Sequence, residues 1–203
     1  MNQPQANPSS SPTAFDTTPK RFGIGKMILL ALFSLVVVFL GVVAAQPADF
    51  KVTRSTTIAA PPAEVFPHVN DFHGWDDWSP WAKLDPNSKV TFSGPDAGEG
   101  AVFTWNGNNE VGEGKMTIVE SKPSDHIKIK LDFLRPMTGS NDVVFSFEPV
   151  TGDQTKVTWS MSGTNNFVGK AFCLVMNMDK CVGEYYEKGL ASMKEVCEKA
   201  DKK

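Results

Sequence analysis

The sequence has few residues of the kinds that build cross-linked, metal-bound or nucleophilic centres. It contains three cysteines among 203 residues, and the first of them is Cys173. Cysteines this few and this late in the chain exclude a disulfide framework and a zinc ribbon. No Gly-x-Ser-x-Gly motif, Walker loop or dinucleotide-binding fingerprint occurs, since Gly94, Gly98 and Gly100 have the spacing of hairpin glycines. The chain therefore shows no nucleophile motif and no nucleotide-binding motif.

An excess of positive charge is also missing. The formal net charge is -3, and the first 50 residues hold three of the 20 basic and two of the 23 acidic residues. Residues 51–203 therefore carry 17 basic and 21 acidic groups, so we do not expect nucleic acid as a partner. An apolar fraction of 41% with 21% charged residues is typical of a globular domain rather than a disordered or multi-span membrane chain.

The amino-terminal part divides into a polar and an apolar segment. Residues 1–26 are rich in Pro, Ser, Asn, Gln and Thr and have no apolar period, so we predict a disordered tail. Residues 27–45 form an uninterrupted stretch of 19 residues without a formal charge. As a helix this stretch would be about 28 Å long at ~1.5 Å per residue, close to the ~30 Å hydrocarbon core of a bilayer. We therefore predict a transmembrane helix at 27–45, followed by a linker at 46–50.

A cleaved signal peptide is the alternative interpretation of the apolar segment. Val43, Ala44 and Ala45 would make a fair cleavage site, but the 26-residue lead-in and the apolar length exceed those of a usual signal peptide. Two lysines and one arginine precede the span within residues 20–26, whereas the two positive charges just beyond it are softened by Asp49. This bias predicts a single-pass membrane protein with a cytoplasmic tail and an exported domain, periplasmic or extracellular.

Beyond residue 47 apolar and polar residues alternate, which is the period of half-buried strands. The first strand is predicted at 52–59, followed by a short helix from about Pro62 to Val69 and a second short helix that begins within 70–75 and is broken at 79–80. The alternation then recurs around 103–105, 116–118, 127–133, 143–147 and 157–161, with turns at 93–96, 106–108, 123–124 and 151–153. The pattern predicts a meander of antiparallel strands with one apolar face.

The last 35 residues change to a helical period. Asn177 or Asp179 could cap a new helix, so a short helix from about Val168 to Met176 is predicted to precede a long one. A sheet with one apolar face needs a cover, and the terminal helix is the only candidate of sufficient length. The predicted fold class is α+β, with a curved antiparallel sheet wrapped on a long C-terminal helix in a domain that spans 51–200.

Several segments of this domain form a recognisable set. They are RSTTI at 54–58, APPAEVF at 60–66, NDF at 70–72 with Trp75 and WSPW at 78–81, GEG at 112–114, VTWSM at 157–161 and EKGL at 187–190. Over about residues 50–200 the chain resembles the START-like (SRPBCC) superfamily, and within it the polyketide cyclase/dehydrase branch. The resemblance implies a helix-grip fold with a deep apolar cavity between the sheet and the terminal helix. It does not imply one activity, because the superfamily includes lipid carriers, hormone receptors, pollen allergens and true cyclases.

Large rings and apolar side chains are concentrated on the inward parity of the predicted strands and on the helices. Rings of this size seldom fill a curved sheet completely in so small a domain, so we expect a ligand cavity. The alternative is that the rings simply form the core. The residues predicted to line the cavity are Trp75, Trp78, Trp81, Phe103, Trp105, Phe133, Phe145, Trp159, Phe172 and Met176.

Arg54 is a candidate polar contact for a ligand. It has the strand parity of Val52 and Ile58, so it could point inward and bind a carboxylate or phosphate head group. The alternative is a place at the sheet edge, paired with an acidic neighbour or near lipid head groups.

Candidate general bases are few: His68, His73, His126, Asp76 and Asp77. His126 follows a serine and an aspartate, as in a solvated turn. A zinc site needs three or four nitrogen or sulfur ligands, and no cysteine lies near His73. We therefore predict no catalytic residue, no metal and no cofactor.

Three functional interpretations remain. The favoured one is a membrane-anchored binding or carrier domain for an apolar small molecule or lipid. The second is a cyclase or dehydratase enzyme that folds a reactive chain in a shaped pocket. The third is an envelope interaction domain with a filled core. A disulfide between Cys173 and Cys181 would require a helix break between them, and the sequence leaves it open.

Overall fold

The structure is a computed structural model that describes residues 23–200, so residues 1–22 of the predicted tail lie outside the described residues. The chain divides between Val42 and Val43 into two compact units. The first unit holds most of helix α1 (Ile24–Ala45), whose 22 residues include the predicted 27–45 segment. Helix α1 is long and apolar enough to cross a membrane.

The second unit is built on one antiparallel sheet of seven strands in the order β1-β7-β6-β5-β4-β3-β2. Six of these strands lie where the alternation predicts them; β2 to β7 form a meander, and β1 pairs with β7 at the edge of the sheet. The strands are β1 (Asp49–Ile58), β2 (Lys89–Ser93), β3 (Val102–Asn106), β4 (Glu113–Lys122), β5 (His126–Arg135), β6 (Gly139–Val150) and β7 (Gln154–Thr164).

Strand β2 is the one that the sequence does not predict. It has five residues, and its apolar side chains Val90 and Phe92 are both exposed. So short a run at a sheet edge carries too little periodicity to be distinguished from a loop. Its pairing with β3, which places Phe92 opposite Phe103, makes it a strand.

Short helical segments follow β1. They are α2 (Pro62–Val65), α3 (Pro67–Asn70) and a 3-10 helix at Phe72–Asp77. The single helix predicted to run to about Val69 is divided at Pro67, because proline lacks the N–H that would continue the ladder. Asp71 caps the 3-10 helix, because its Oδ1 accepts a hydrogen bond from the backbone N–H of His73.

Two helices end the domain, with the predicted break between them. Helix α4 is Phe167–Val175 and helix α5 is Met178–Ala200. Asn166 Oδ1 accepts from the N–H of Gly169, and Asn177 Oδ1 accepts from the N–H of Lys180. Both asparagines thus satisfy first-turn donors that would otherwise lack partners.

Helix α5 packs against β1 and the 3-10 helix and closes the inward face of the sheet. Its buried side chains Tyr186, Leu190 and Met193 join the core that the inward strand residues form. Val143 and Met161 lie opposite each other on β6 and β7 within this core. Each fully buried aliphatic side chain stabilises the fold by about 1.5–3 kcal/mol. This is the predicted helix-grip arrangement.

The two ends of the sheet differ in the chain segments that lie there. One end, the linker end, comprises the start of β1, the end of β7 and the turn between β5 and β6. Residues 46–48 enter the domain there, and α4 leaves from it. The opposite end holds the turns at 123–125 and 151–153, where Ser124 and Asp153 have positive φ. The linker end is therefore the part of the domain nearest along the chain to α1.

Candidate functional site

Five of the predicted site residues form one aromatic cluster on the inward face of the sheet. Trp159 lies at its centre, with its ring centroid 4.7 Å from that of Phe145 and 5.6 Å from that of Trp78. Trp75 is 4.8 Å from Trp78, and Trp81 is 5.6 Å from Trp159. These edge and offset contacts are the geometries that aromatic rings favour. The structure thus brings together residues that lie up to 84 positions apart in the printed sequence, and their own rings fill this part of the interior.

Helix α5 completes the cluster through Tyr186. Its ring stacks on Trp159 with centroids 3.9 Å apart and planes 10° from parallel. Burial among these rings raises the pKa of Tyr186 above its ordinary value, so its hydroxyl stays protonated. The cluster therefore joins β7 to α5.

The indole N–H groups of the aromatic cluster differ in whether they have a hydrogen-bond acceptor. Trp75 donates to the carbonyl of Val69, and Trp78 donates to the carbonyl of His68, at 3.1 and 2.9 Å. Trp159 Nε1 is buried and, within residues 23–200, makes no hydrogen bond of good geometry, although it lies close enough to the hydroxyl of Tyr186 to oppose in part the rise in the pKa of that group. The two rings stack nearly parallel, so the N–H, which lies in the indole plane, does not point at that oxygen. A buried donor without a partner is unusual and marks a place where a further acceptor would be stabilised.

A second group of mainly apolar residues lies nearer the linker end, and its members are half buried or, in the case of Phe92, exposed. We call it the linker-end row. It consists of residues that pair in register from strand to strand across the inward face. Its members are Phe92, Phe103, Met116, Leu131, Asn141, Gly163 and Phe50. Phe103, Met116, Leu131 and Phe50 pack against the core from one side and keep part of their surface accessible.

The predicted residues Trp105 and Phe133 border the linker-end row. Their ring centroids are 6.0 Å apart, and Trp105 lies 5.9 Å from Phe103. Trp105 donates to the carbonyl of Val111 at 3.1 Å. Gly163 interrupts the row, and a Cβ there would collide with Asn141 Oδ1 and come within 3.0 Å of the Phe50 ring. Glycine therefore lets Phe50 lie across the sheet at this point.

The sequence did not single out Phe50, Phe92, Met116 or Leu131 as site residues. The signal that could have found them is the register, because each pairs with a member of the row on the next strand. Register depends on turn lengths and bulges, including the irregularities in the β4–β5 pairing, which alternation alone does not reveal.

Phe172 and Met176 are placed apart from the tryptophan cluster. Phe172 lies on α4 and Met176 directly follows it, and their side chains are 43% and 46% exposed. The structure therefore puts these two predicted cavity residues at the linker end of the domain.

Arg54 is held by acidic groups of α5. Its Nε donates to Glu187 at 2.7 Å, and its Nη1 and Nη2 each donate to Asp179 at 3.1 Å. The carbonyls of Thr53 and Asp179 accept its remaining donors. Hydrogen bonds to Asp179 and then Glu187 raise the pKa of Arg54, and the pKa of Asp179 is lowered in return. This is the acidic pairing that the sequence left as the alternative to a ligand contact.

Two clefts lie on the surface of the domain. One of about 470 Å³ runs between β1 and α5, and one of about 560 Å³ lies on the outward face near Asp132 and Phe133. Charged side chains such as Lys194 and Lys115 line them, and no tryptophan does. Their lining does not match an apolar ligand.

The histidines lie outside the aromatic cluster. His126 pairs with Glu120 at 2.9 Å and with Asp125 at 3.2 Å at the end of the sheet away from the linker. Lys128, then His126, lower the pKa of Glu120. His73 Nδ1 lies 2.7 Å from Asp71 Oδ1. Within residues 23–200 no group of three or more histidine, cysteine or acidic side chains is placed to hold a metal ion.

All three thiols are free. Asn165 Nδ2 donates to Cys173 Sγ at 3.3 Å, and Cys181 is exposed on α5. Burial raises the pKa of Cys197 to about 11, so this thiol is unreactive at neutral pH.

Comparison with known proteins gives the family. A family model described as polyketide cyclase/dehydrase and lipid transport matches residues 49–198, the whole of the sheet and nearly all of α5. The chain belongs to this family. A comparison with curated proteins finds no match.

Solved structures share the fold of this family member. An aromatase/cyclase from a Streptomyces species is 13% identical, with a TM-score of 0.54 over 74% of this chain and 94% of its own. A protein from Thermobifida fusca is 21% identical, with a TM-score of 0.54 over 72% and 92%. One from Thermus thermophilus is 16% identical, with a TM-score of 0.54 over 74% and 99%. At these identities the likeness shows the fold alone.

Proposed function

We propose that this family member is a membrane-anchored domain that binds an apolar small molecule or lipid between the inward face of its sheet and the C-terminal helix α5. Helix α1 would be the anchor, with the tail in the cytoplasm and the domain exported. The observation that carries the proposal is the linker-end row, because it exposes aromatic and aliphatic surface on the concave face of the sheet. Half-buried apolar residues that face inward are the lining that apolar ligand sites use.

The tryptophan cluster supports the same proposal because it limits how far a ligand could extend into the domain. Its rings close the far part of the interior, so a ligand would lie along Phe103, Met116 and Leu131 and end against Trp159 and Phe145. The unpartnered N–H of Trp159 would suit a carbonyl or hydroxyl oxygen on such a ligand. The predicted ligand is therefore mainly apolar, with one acceptor group.

The test compares two tryptophan substitutions on β5. Leu131 lies in the linker-end row and Leu134 is exposed, at the linker end of the same strand and with the opposite parity. Leu131→Trp should fill the proposed site and abolish binding, whereas Leu134→Trp should leave binding unchanged. Binding is measured on the full chain in detergent with fatty acids, quinones, isoprenoids and polycyclic aromatics, by tryptophan fluorescence and by native mass spectrometry.

The two variants must also keep their thermal unfolding transitions, which separates a filled site from a misfolded domain. Equal binding by both variants would place the ligand elsewhere. Absence of binding to every probe by the unmodified chain, together with no molecule co-purified from cells, would overturn the carrier proposal and favour an interaction domain with a filled core.

A second candidate function is a cyclase or dehydratase. The observation that favours it is the pair of Asp71 and His73 at the margin of the row, where the ring of His73 stacks on Phe92 at 4.0 Å. A carboxylate on Nδ1 orients an imidazole so that Nε2 can take a proton. Incubation with a linear poly-β-keto thioester tests this: a cyclised or dehydrated product that His73→Gln fails to form would establish the enzyme.

A further inference from the structure

Helix α4 is an apolar helix without a buried face. None of its nine described residues is buried, and eight of the nine are uncharged. Val175 at its end is 74% exposed, and Phe167, Val168 and Leu174 are also exposed. An exposed run of this kind on a soluble surface is a contact site for another apolar surface.

Hydrogen bonds hold α4 next to the residues that follow the apolar segment. The N–H of Asn165, two residues before α4, donates to the carbonyl of Ala48 at 2.8 Å. Lys170 on α4 donates from Nζ to the carbonyl of Ala44 at 3.5 Å. The apolar segment ends at Ala45, so α4 is fixed to the stretch of chain that leaves it.

A second exposed apolar segment lies at the same end of the sheet. Leu134 at the end of β5 and Met137 in the following turn are 50% and 46% exposed. The antiparallel order places this turn at the linker end, together with the end of β7. Most of the large exposed apolar side chains of the second unit lie in these two segments rather than at the opposite end. Those in the two segments are Leu134, Met137, Phe167, Val168, Phe172, Leu174 and Val175.

We propose that α4 and the 134–137 turn insert into the surface of the bilayer that α1 spans, with α4 lying in the plane of the interface. This inference rests on the proposed membrane anchor. Its occupant is lipid rather than a second protein, because the chain itself brings this face to the membrane wherever α1 crosses it. The phenylalanine, leucine and valine side chains of α4 are of the kind that interfacial helices bury at the boundary of head groups and acyl chains.

The test uses the full chain reconstituted in phosphatidylcholine nanodiscs. Val175→Cys puts a thiol on the face proposed to be in lipid, and Val119→Cys is the matched control, an exposed valine on β4. Each is labelled with a membrane-impermeant maleimide and followed by peptide-level mass spectrometry. The exposed native Cys181 is the internal reference in the same molecule.

We expect the thiol at position 175 to react at least about tenfold more slowly than Cys181, because an apolar environment suppresses the thiolate that reacts. The thiol at position 119 should react within about threefold of Cys181. Bimane attached at position 175 should also be quenched by phosphatidylcholine brominated on its acyl chains, and bimane at position 119 should not.

Equal labelling at 175 and 119 without bromolipid quenching would overturn the inference, provided that the chain resists carbonate extraction. Release of the chain by carbonate would instead overturn the proposed anchor and the inference with it. Circular dichroism of the aromatic cluster shows whether a variant has folded. If Val175→Cys has not folded, Leu134→Cys takes its place, and its thiol should likewise react slowly and its bimane should be quenched.

Discussion

Arg54 shows that strand parity predicts the face of the sheet on which a side chain lies but not the groups that the side chain contacts. Its parity is inward, like that of Val52. The long side chain nevertheless reaches α5 and uses its donors on Asp179, Glu187 and two backbone carbonyls. A guanidinium whose donors are occupied in this way has none to offer a ligand. Its role is to fix the first turns of α5 to β1.

Asp179 gives a prediction on pH. The pKa of its carboxyl is lowered in the folded protein, so its stabilising contribution is present above about pH 4 and is lost as the pH falls through the folded value. We expect Asp179→Asn to lower the free energy of unfolding at pH 7. The difference from the unmodified chain should shrink as the pH falls from about 4 through the lowered pKa of Asp179, because the protonated aspartate is then as neutral as asparagine.

Urea unfolding of the full chain in detergent at pH 7, 4 and 3 measures this. Glu184→Gln on the same helix is the control and should keep the pH dependence of the unmodified chain. A constant difference between Asp179→Asn and the unmodified chain at all three pH values would show that the ion pair does not carry the effect.

Among the elements, the helices were predicted better than the edge of the sheet. The capping asparagine at 177 predicted the break before α5, because its side chain satisfies an N–H wherever the helix begins. Strand β2 was missed, since its place depends on pairing with β3 rather than on its own five residues. Elements defined by local chemistry are readable from the sequence, whereas those defined by a partner strand are not.

Two glycines of α5 give a prediction on packing. A Cβ at Gly189 would lie 2.9 Å from the buried ring of Trp159 and 3.0 Å from the half-buried ring of Pro80. A Cβ at Gly183 would collide with the guanidinium of Arg54, which Asp179 and Glu187 hold in place. Replacing glycine by alanine within a helix gains about 1 kcal/mol of intrinsic stability in both cases.

We expect Gly189→Ala to lower the free energy of unfolding by about 1–3 kcal/mol, because overpacking outweighs the gain. Gly183→Ala should also lower it, because its Cβ would displace the Arg54 guanidinium from Asp179 and Glu187, but this loss should disappear when Arg54 is itself replaced by alanine, whereas the loss in Gly189→Ala should persist. Thermal and urea unfolding of the two variants, each with and without Arg54→Ala, measure the difference. A stabilised Gly189→Ala variant would mean that the aromatic cluster is looser than its ring contacts indicate.

At the scale of the molecule, the order of elements predicted a curved sheet covered by the terminal helix, the resemblance to the family implied the helix-grip fold, and the family match at 49–198 confirms the family. The sequence also predicted that Trp75, Trp78 and Trp159 face the interior, and all three are buried. It did not predict that these rings would pack on one another while Phe172 and Met176 stayed outside. How much volume remains between a sheet and a helix depends on strand register and helix position together, and no local pattern encodes both.

The membrane topology is a prediction for the whole chain. Three positive charges before the span predict that the tail stays in the cytoplasm and the domain is exported. Alkaline phosphatase fused to the carboxyl terminus should therefore be active and green fluorescent protein at the same site dark. Mature protein that begins near Gln46 would replace the anchor with a cleaved signal peptide.

The shortness of the linker limits what an anchored domain of this kind can do. Only residues 46–48 separate α1 from β1, and even fully extended they reach about 10 Å at ~3.3–3.6 Å per residue. A carrier on such a tether cannot ferry cargo across the space between two membranes. Such a domain would stay at the surface of one leaflet, so any donor or acceptor of its ligand would have to diffuse to that surface.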